Sequence, residues 1–107
     1  MAVRLKNYSQ GKWSEGTGNG AALHHAVTGE QLFVASSDGI DFKGMMDHAR
    51  KTGGPKLRKL TFHERARMLK ALALHLNEKK KDFYALSAAT GATKGDSWID
   101  IDGGIGN

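Results

Sequence analysis

From Thr61 to Asn77 the apolar residues return every three or four positions. Phe62, Ala66, Leu69, Leu72, Ala73 and Leu76 therefore share one face of a helix, and Met68 and Leu74 widen it. Thr61 followed three residues later by Glu64 supplies the start signal: the Thr hydroxyl can accept from the Glu64 amide while the Glu64 side chain returns to the Thr61 amide. No other stretch is both long and periodic enough to organise a core, so the rest of the chain is expected to be arranged around this one.

Before it the period is shorter. Between Lys6 and Trp13, Ser9, Gln10 and Gly11 separate short β-forming flanks, the pattern of a tight hairpin. Ser14 to Ala21 is polar and glycine-rich, hence a loop. Ala22 to Ser36 carries Thr28-Gly29-Glu30 in its middle and then Gln31 to Ala35, which predicts a second extended pair. Phe42, Met45, Met46 and Ala49 restore helical spacing, so a helix is expected from about Asp41 to about Lys51, with the two methionines as core fillers and Thr52-Gly53-Gly54-Pro55 as its stop.

After a break near Asn77 to Lys79, Phe83, Leu86 and Ala89 or Thr90 define a third helix ending at Gly91. A fourth starts at Thr93, with Asp96 in its first turn and Trp98, Ile101 and Ile105 on one face. Gly103 and Gly104 lie inside it, each costing about 1 kcal/mol relative to alanine, and it reaches Asn107 without a cap, as if cut off. The fold class read from these elements is α+β, mainly helical: short amino-terminal β-hairpins followed by three to four helices. One domain is expected, with short strands and loops over residues 1–37 and helices over 38–107.

Composition narrows the chemistry. The 107 residues include fourteen glycines, a single proline and no cysteine, so a disulfide, a thiolate metal site and a cysteine nucleophile within them are excluded. No apolar run approaches a membrane span, and MAVRLKNYSQ lacks the hydrophobic core of a signal peptide, which points to a cytoplasmic protein without a membrane partner. The net charge of +5 is concentrated: residues 50–81 hold eleven Lys and Arg against Glu64 and Glu78. Such a stripe suits the solvated face of an amphipathic helix; its alternative meaning is a freestanding basic module that binds nucleic acid or an acidic partner.

Several motifs begin and do not finish. His63-Glu64-Arg65-Ala66-Arg67 opens like a zincin sequence but has Arg67 where the second histidine belongs. His24 and His25 are adjacent, and on an extended strand they point to opposite faces; His48 and His75 have no ligand spacing. Gly16-Thr17-Gly18-Asn19-Gly20-Ala21 matches the dinucleotide fingerprint in letters only, because neither flank is the strand-then-helix that the fingerprint needs. Asp100-Ile101-Asp102-Gly103 is like the middle of a calcium loop whose first ligand position falls on Trp98. No residue is assigned as catalytic, cofactor-binding or metal-ligating.

Taken together, NYSQGKW, Val27-Thr28-Gly29-Glu30, the run from Val34 to Asp41 and LTFHERARMLKALALHLNEKKKDFYALSAATGATKGDSWIDIDGGIG resemble the amino-terminal portion of aldehyde dehydrogenases. The string from Leu60 to Gly106, with SAATGAT and DSWIDIDGGIG, is most similar to the phenylacetate-degradation branch, in which the dehydrogenase is fused to a hydratase-like ring-opening domain. The resemblance implies an amino-terminal piece of the α/β aldehyde dehydrogenase fold. It further implies a parent enzyme that oxidises an aldehyde, a CoA-linked semialdehyde, through a thiohemiacetal and hydride transfer to NADP or NAD. The catalytic cysteine, the glutamate base and the main cofactor motif would lie beyond residue 107, leaving this chain a scaffold inactive alone. Its expected partners are the remainder of the polypeptide and further copies in a homo-oligomer. One departure from the family is Ala26, where proline is common.

The stripes on the helices also exceed what the first helix and two hairpins would cover. Self-association, or order only beside a longer polypeptide, is expected, with Trp98 and Ile105 among the contacts.

Overall fold

The computed structural model describes residues 2–107. The chain divides into two units: the first runs to His24 and resumes over Thr28–Lys59, and the second joins His25–Val27 to Leu60–Asn107. With 54% of residues helical and 18% in strands, the mainly helical α+β class read from the sequence holds.

In the first unit, β2 (Lys6–Ser9) and β3 (Lys12–Glu15) form the expected hairpin. Both turn residues have positive φ, Gln10 at 52° and Gly11 at 83°, which is the type I′ geometry that matches strand twist. Tyr8 and Trp13 face each other across the pair with ring centroids 5.0 Å apart, edge to face. β4 (Ala21–His24) runs antiparallel to β5 (Gln31–Ala35) around the Thr28-Gly29-Glu30 turn, as expected. The loop between the pairs is shorter than Ser14 to Ala21: Ser14 and Glu15 extend β3 and Ala21 opens β4, so only residues 16–20 are loop. A further strand, β1 (Val3–Arg4), lies parallel to β5 and completes a three-stranded sheet of order β1-β5-β4.

The first helix corrects the sequence reading. α1 (Phe42–His48) does not stop at Gly53-Gly54-Pro55; it passes through a π-helical turn (Ala49–Gly53) into α2 (Gly54–Arg58). Both glycines are right-handed helical, and the Gly54 amide donates to the Ala49 carbonyl five residues back. A π turn is wider than an α turn, which gives room to the ring of Pro55 that would otherwise strike the carbonyl four residues earlier. Met45 is half-buried but Met46 is 54% exposed, so the pair does not fill a core.

The second unit opens on α3 (Phe62–Glu78), and here the start signal works as read. Thr61 is extended, its hydroxyl accepts from the Glu64 amide at 3.2 Å, and its own amide donates to the Glu64 carboxylate at 2.7 Å. Lys79 breaks the helix and α4 (Lys80–Ala89) follows. Gly91, at φ +88°, turns the chain after α4, while the Ala26 amide donates to the Ala89 carbonyl at 2.8 Å and satisfies one of the helix's last acceptors. Thr93 then caps α5 (Lys94–Ser97), a π turn covers Trp98–Asp102, and α6 (Gly103–Gly106) ends the run.

That π turn alters the phase of the last helix. Ile101 and Ile105 are half-buried, but Trp98 is 62% exposed instead of sharing their face. α3 does not organise a core either: along its apolar stripe only Ala73 and Leu76 are half-buried, and Phe62 is 86% exposed. Its companions in the unit are shorter, and α5 and α6 have four residues each, too little to cover a helix of seventeen. Among the described residues no hydrophobic side chain is buried; Ser9 and Ser97 are the buried polar ones.

Candidate functional site

Polar side chains gather into networks at two places, one in each unit. In the second, Lys80 and Tyr84 stand one turn apart on α4, which puts them on the same face. Both reach Asp102 at the end of the π turn: the Lys80 ammonium donates to Oδ1 and the Tyr84 hydroxyl to Oδ2. The ammonium, then the phenol, hold the Asp102 carboxyl below its usual range, and the hydrogen bond that the carboxylate accepts from the phenol pushes the Tyr84 hydroxyl above its own. Tyr84 is thereby fixed as a donor rather than a base, and the Lys80 charge is already matched.

Beside this bridge lies an open groove of about 530 Å³, with Tyr84, Ala88 and Ala92 along it and Lys81 and Lys94 among its lining residues. Ser97 lies at the same groove; its hydroxyl donates to the Thr93 carbonyl and sits 2.8 Å from the Ser87 hydroxyl. Lys80, Tyr84 and Ser97 are thus bonded within the chain, and what the groove offers is apolar surface beside the ammonium groups of Lys81 and Lys94. The bridge itself joins α4 to the last helical run.

In the first unit the network centres on Arg4. Its Nη2 donates to the carbonyls of Gly16, Thr17 and Gly18 at 2.8, 3.1 and 2.7 Å, and its Nε to Gly16 again at 3.1 Å. The segment lettered like a dinucleotide fingerprint therefore turns carbonyl oxygens toward a cation, the opposite polarity to a phosphate cradle, and strands β3 and β4 flank it.

The unfinished motifs fall where local structure uses them. Glu64 turns back to Thr61, whose backbone and hydroxyl hold its carboxyl below the usual range. Arg65 donates to the Leu60 carbonyl, with its guanidinium 5.7 Å from the Phe62 ring centre. His24 ends β4 and His25 follows in a turn where its Nδ1 accepts from the Val27 amide; His48 ends α1 and His75 lies on α3. Asp102 bonds to Lys80 and Tyr84, whereas Asp100 is exposed. Among the described residues no three or more His, Cys, Asp or Glu gather where they could hold one metal ion. Sequence reading missed both networks. The four-residue step from Lys80 to Tyr84 was a usable signal; nothing local marks Asp102 or the carbonyls of residues 16–18 as partners.

No family model matches the chain. Over 104 residues, 96% of its length, the chain is 46% identical to part of an aldehyde dehydrogenase of aromatic degradation. That relative is the 3,4-dehydroadipyl-CoA semialdehyde dehydrogenase of Aromatoleum evansii, and the match spans 20% of its length. Among the described residues no helix is long and apolar enough to cross a membrane.

Proposed function

We propose that this chain is the amino-terminal scaffold of a longer NAD- or NADP-dependent aldehyde dehydrogenase that oxidises a CoA-linked semialdehyde in aromatic-acid degradation, in the phenylacetate-type branch. The observation that carries the reading is the 46% identity across nearly the whole chain. Two features support a scaffold role. The 107 residues contain no cysteine, so the thiol that attacks the aldehyde carbon belongs to other residues of the polypeptide. The glycine loop presents carbonyls to Arg4 instead of amides to a phosphate, so it does not fit a dinucleotide, and no step through the cofactor is assigned to this chain.

The exposed apolar side chains on α3 and on the last helical run support a protein that completes its packing elsewhere. Phe62, Leu69, Leu72, Trp98 and Ile99 are all more than half exposed, and at about 25 cal/mol per Å² such surface is a strong drive to association. The partners proposed are the rest of the dehydrogenase polypeptide and further copies of it in a homo-oligomer.

The test exchanges the matched segment of the Aromatoleum relative for this chain. The chimera is expected to oxidise 3,4-dehydroadipyl-CoA semialdehyde with NAD or NADP, and the chain alone to reduce neither. A folded chimera without turnover, or turnover by the chain alone, would overturn the proposal.

A further inference from the structure

β1 is too short to hold itself. It has two residues and pairs with β5 only through Val3 opposite Phe33 and Arg4 opposite Val34, with one further bond from the Leu5 amide to the Val34 carbonyl at 2.9 Å. What fastens it lies on the other side of Arg4. The carbonyls of Gly16, Thr17 and Gly18 converge on a single guanidinium nitrogen.

Bonds that do not involve Arg4 also hold this segment. The Thr17 amide donates to the Asp38 carbonyl at 2.9 Å, the Ser36 hydroxyl donates to the Thr17 carbonyl at 2.6 Å, and the Asn7 amide side chain holds the Ser36 carbonyl at 2.8 Å. Gly16 packs so closely that a Cβ there would stand 2.2 Å from the Ser36 carbonyl oxygen. The loop is thus tied to the chain after β5 by bonds that do not involve Arg4. Nor is the guanidinium matched by a carboxylate: among the described residues the ion pairs are Lys43–Asp47 and Lys80–Asp102. Its charge is met by carbonyl dipoles alone.

We propose that loop 16–20 is a guanidinium receptor built into the fold, occupied by this chain's own Arg4, and that its occupancy straps β1 onto β5. A planar fork that gives two bonds to the Gly16 oxygen and reaches two more carbonyls is what the site selects. It follows that emptying the site leaves the receptor standing and frees the strap, and that a free guanidinium ion can refill it.

The experiment follows amide resonances and hydrogen exchange in the full chain. In Arg4→Ala the Leu5 amide is expected to lose protection at least about tenfold while the Thr17 amide keeps its own. Methylguanidinium should then shift the Thr17, Gly18 and Asn19 amides saturably in Arg4→Ala and not in the unsubstituted chain, with methylammonium giving no saturable shift. Undiminished Leu5 protection would overturn the proposal. So would the absence of a saturable methylguanidinium shift, or an equal response to methylammonium. Should Arg4→Ala fail to fold, Arg4→Lys decides: it keeps the charge without the fork, so Leu5 protection must fall, and full protection would count against the receptor.

Discussion

Two stretches of this chain are equally rich in glycine and use it in opposite ways. In residues 16–20, Gly16, Gly18 and Gly20 are hemmed in: an added Cβ would meet Ser36 O at 2.2 Å, Asp38 Oδ2 at 2.9 Å and Ala35 O at 2.6 Å. At Gly103, Gly104 and Gly106, nothing lies within 4 Å. At Gly16 and Gly20 glycine is required because two backbones touch, and at Gly18 the backbone φ of +71° favours it. In the helix it leaves space and lowers helix propensity, so the first unit is organised by close backbone approach and polar bonds, and the second by local helix signals with its apolar faces uncovered.

The sharpest way to break the contrast is Gly16→Ala. Its clash is with backbone rather than a movable side chain, and a loss of about 3 kcal/mol in denaturant unfolding is expected. A negligible loss would mean the two backbones can part. Thr61→Ala probes the second unit's reliance on local signals: without the reciprocal cap, α3 should lose about 1 kcal/mol, read as faster exchange of its first-turn amides. Smaller and of opposite sign, Gly103→Ala and Gly104→Ala should each stabilise the last helix, by up to about 1 kcal/mol, seen as a rise in Tm. A loss at either would show that another surface approaches these glycines closely in solution.

The gentlest effect is on pH dependence. Asp102 and Glu64 have folded-state pKa values held below their unfolded ones, so the stability they add is present above the unfolded range and is lost as pH falls through the depressed values. Tyr84 is shifted upward, so its contribution is complete below the ordinary phenol value of about 10 and is lost as pH rises through the raised one. Amide protection in α4 and the last helical run, taken relative to the free-peptide exchange rate at each pH, should therefore fall at both extremes. Asp102→Asn should flatten the acid limb of that profile, and an unchanged profile would show that the bridge to Lys80 and Tyr84 contributes nothing.

What could be read from the sequence was local. The box of Thr61 and Glu64, the tight hairpin around Gln10-Gly11 and the stop of α4 just before Gly91 each depend on residues within a few positions, and each formed as read, except that Ser9 belongs to the strand and not to the turn. Pro55 misled because its effect depends on the hydrogen-bond pattern of the turn before it, and a π turn admits a ring that an α turn would not. Trp98 misled for a related reason, since face assignments assume an unbroken period. Arg4 and Asp102 were silent because their partners lie twelve to twenty-two residues away and, for Arg4, are backbone carbonyls that carry no letter in the sequence.

The bond from Ala26 to Ala89 bears on how the molecule can be divided. A cut after Lys59 looks natural, yet a peptide of residues 60–107 would leave behind His25–Val27, the three residues that count with it, and expose a helix-end acceptor. Proline at position 26 would remove the same donor without any cut. A dissected version of this protein therefore has to carry residues 25–27 across, as a graft or as a short peptide added back.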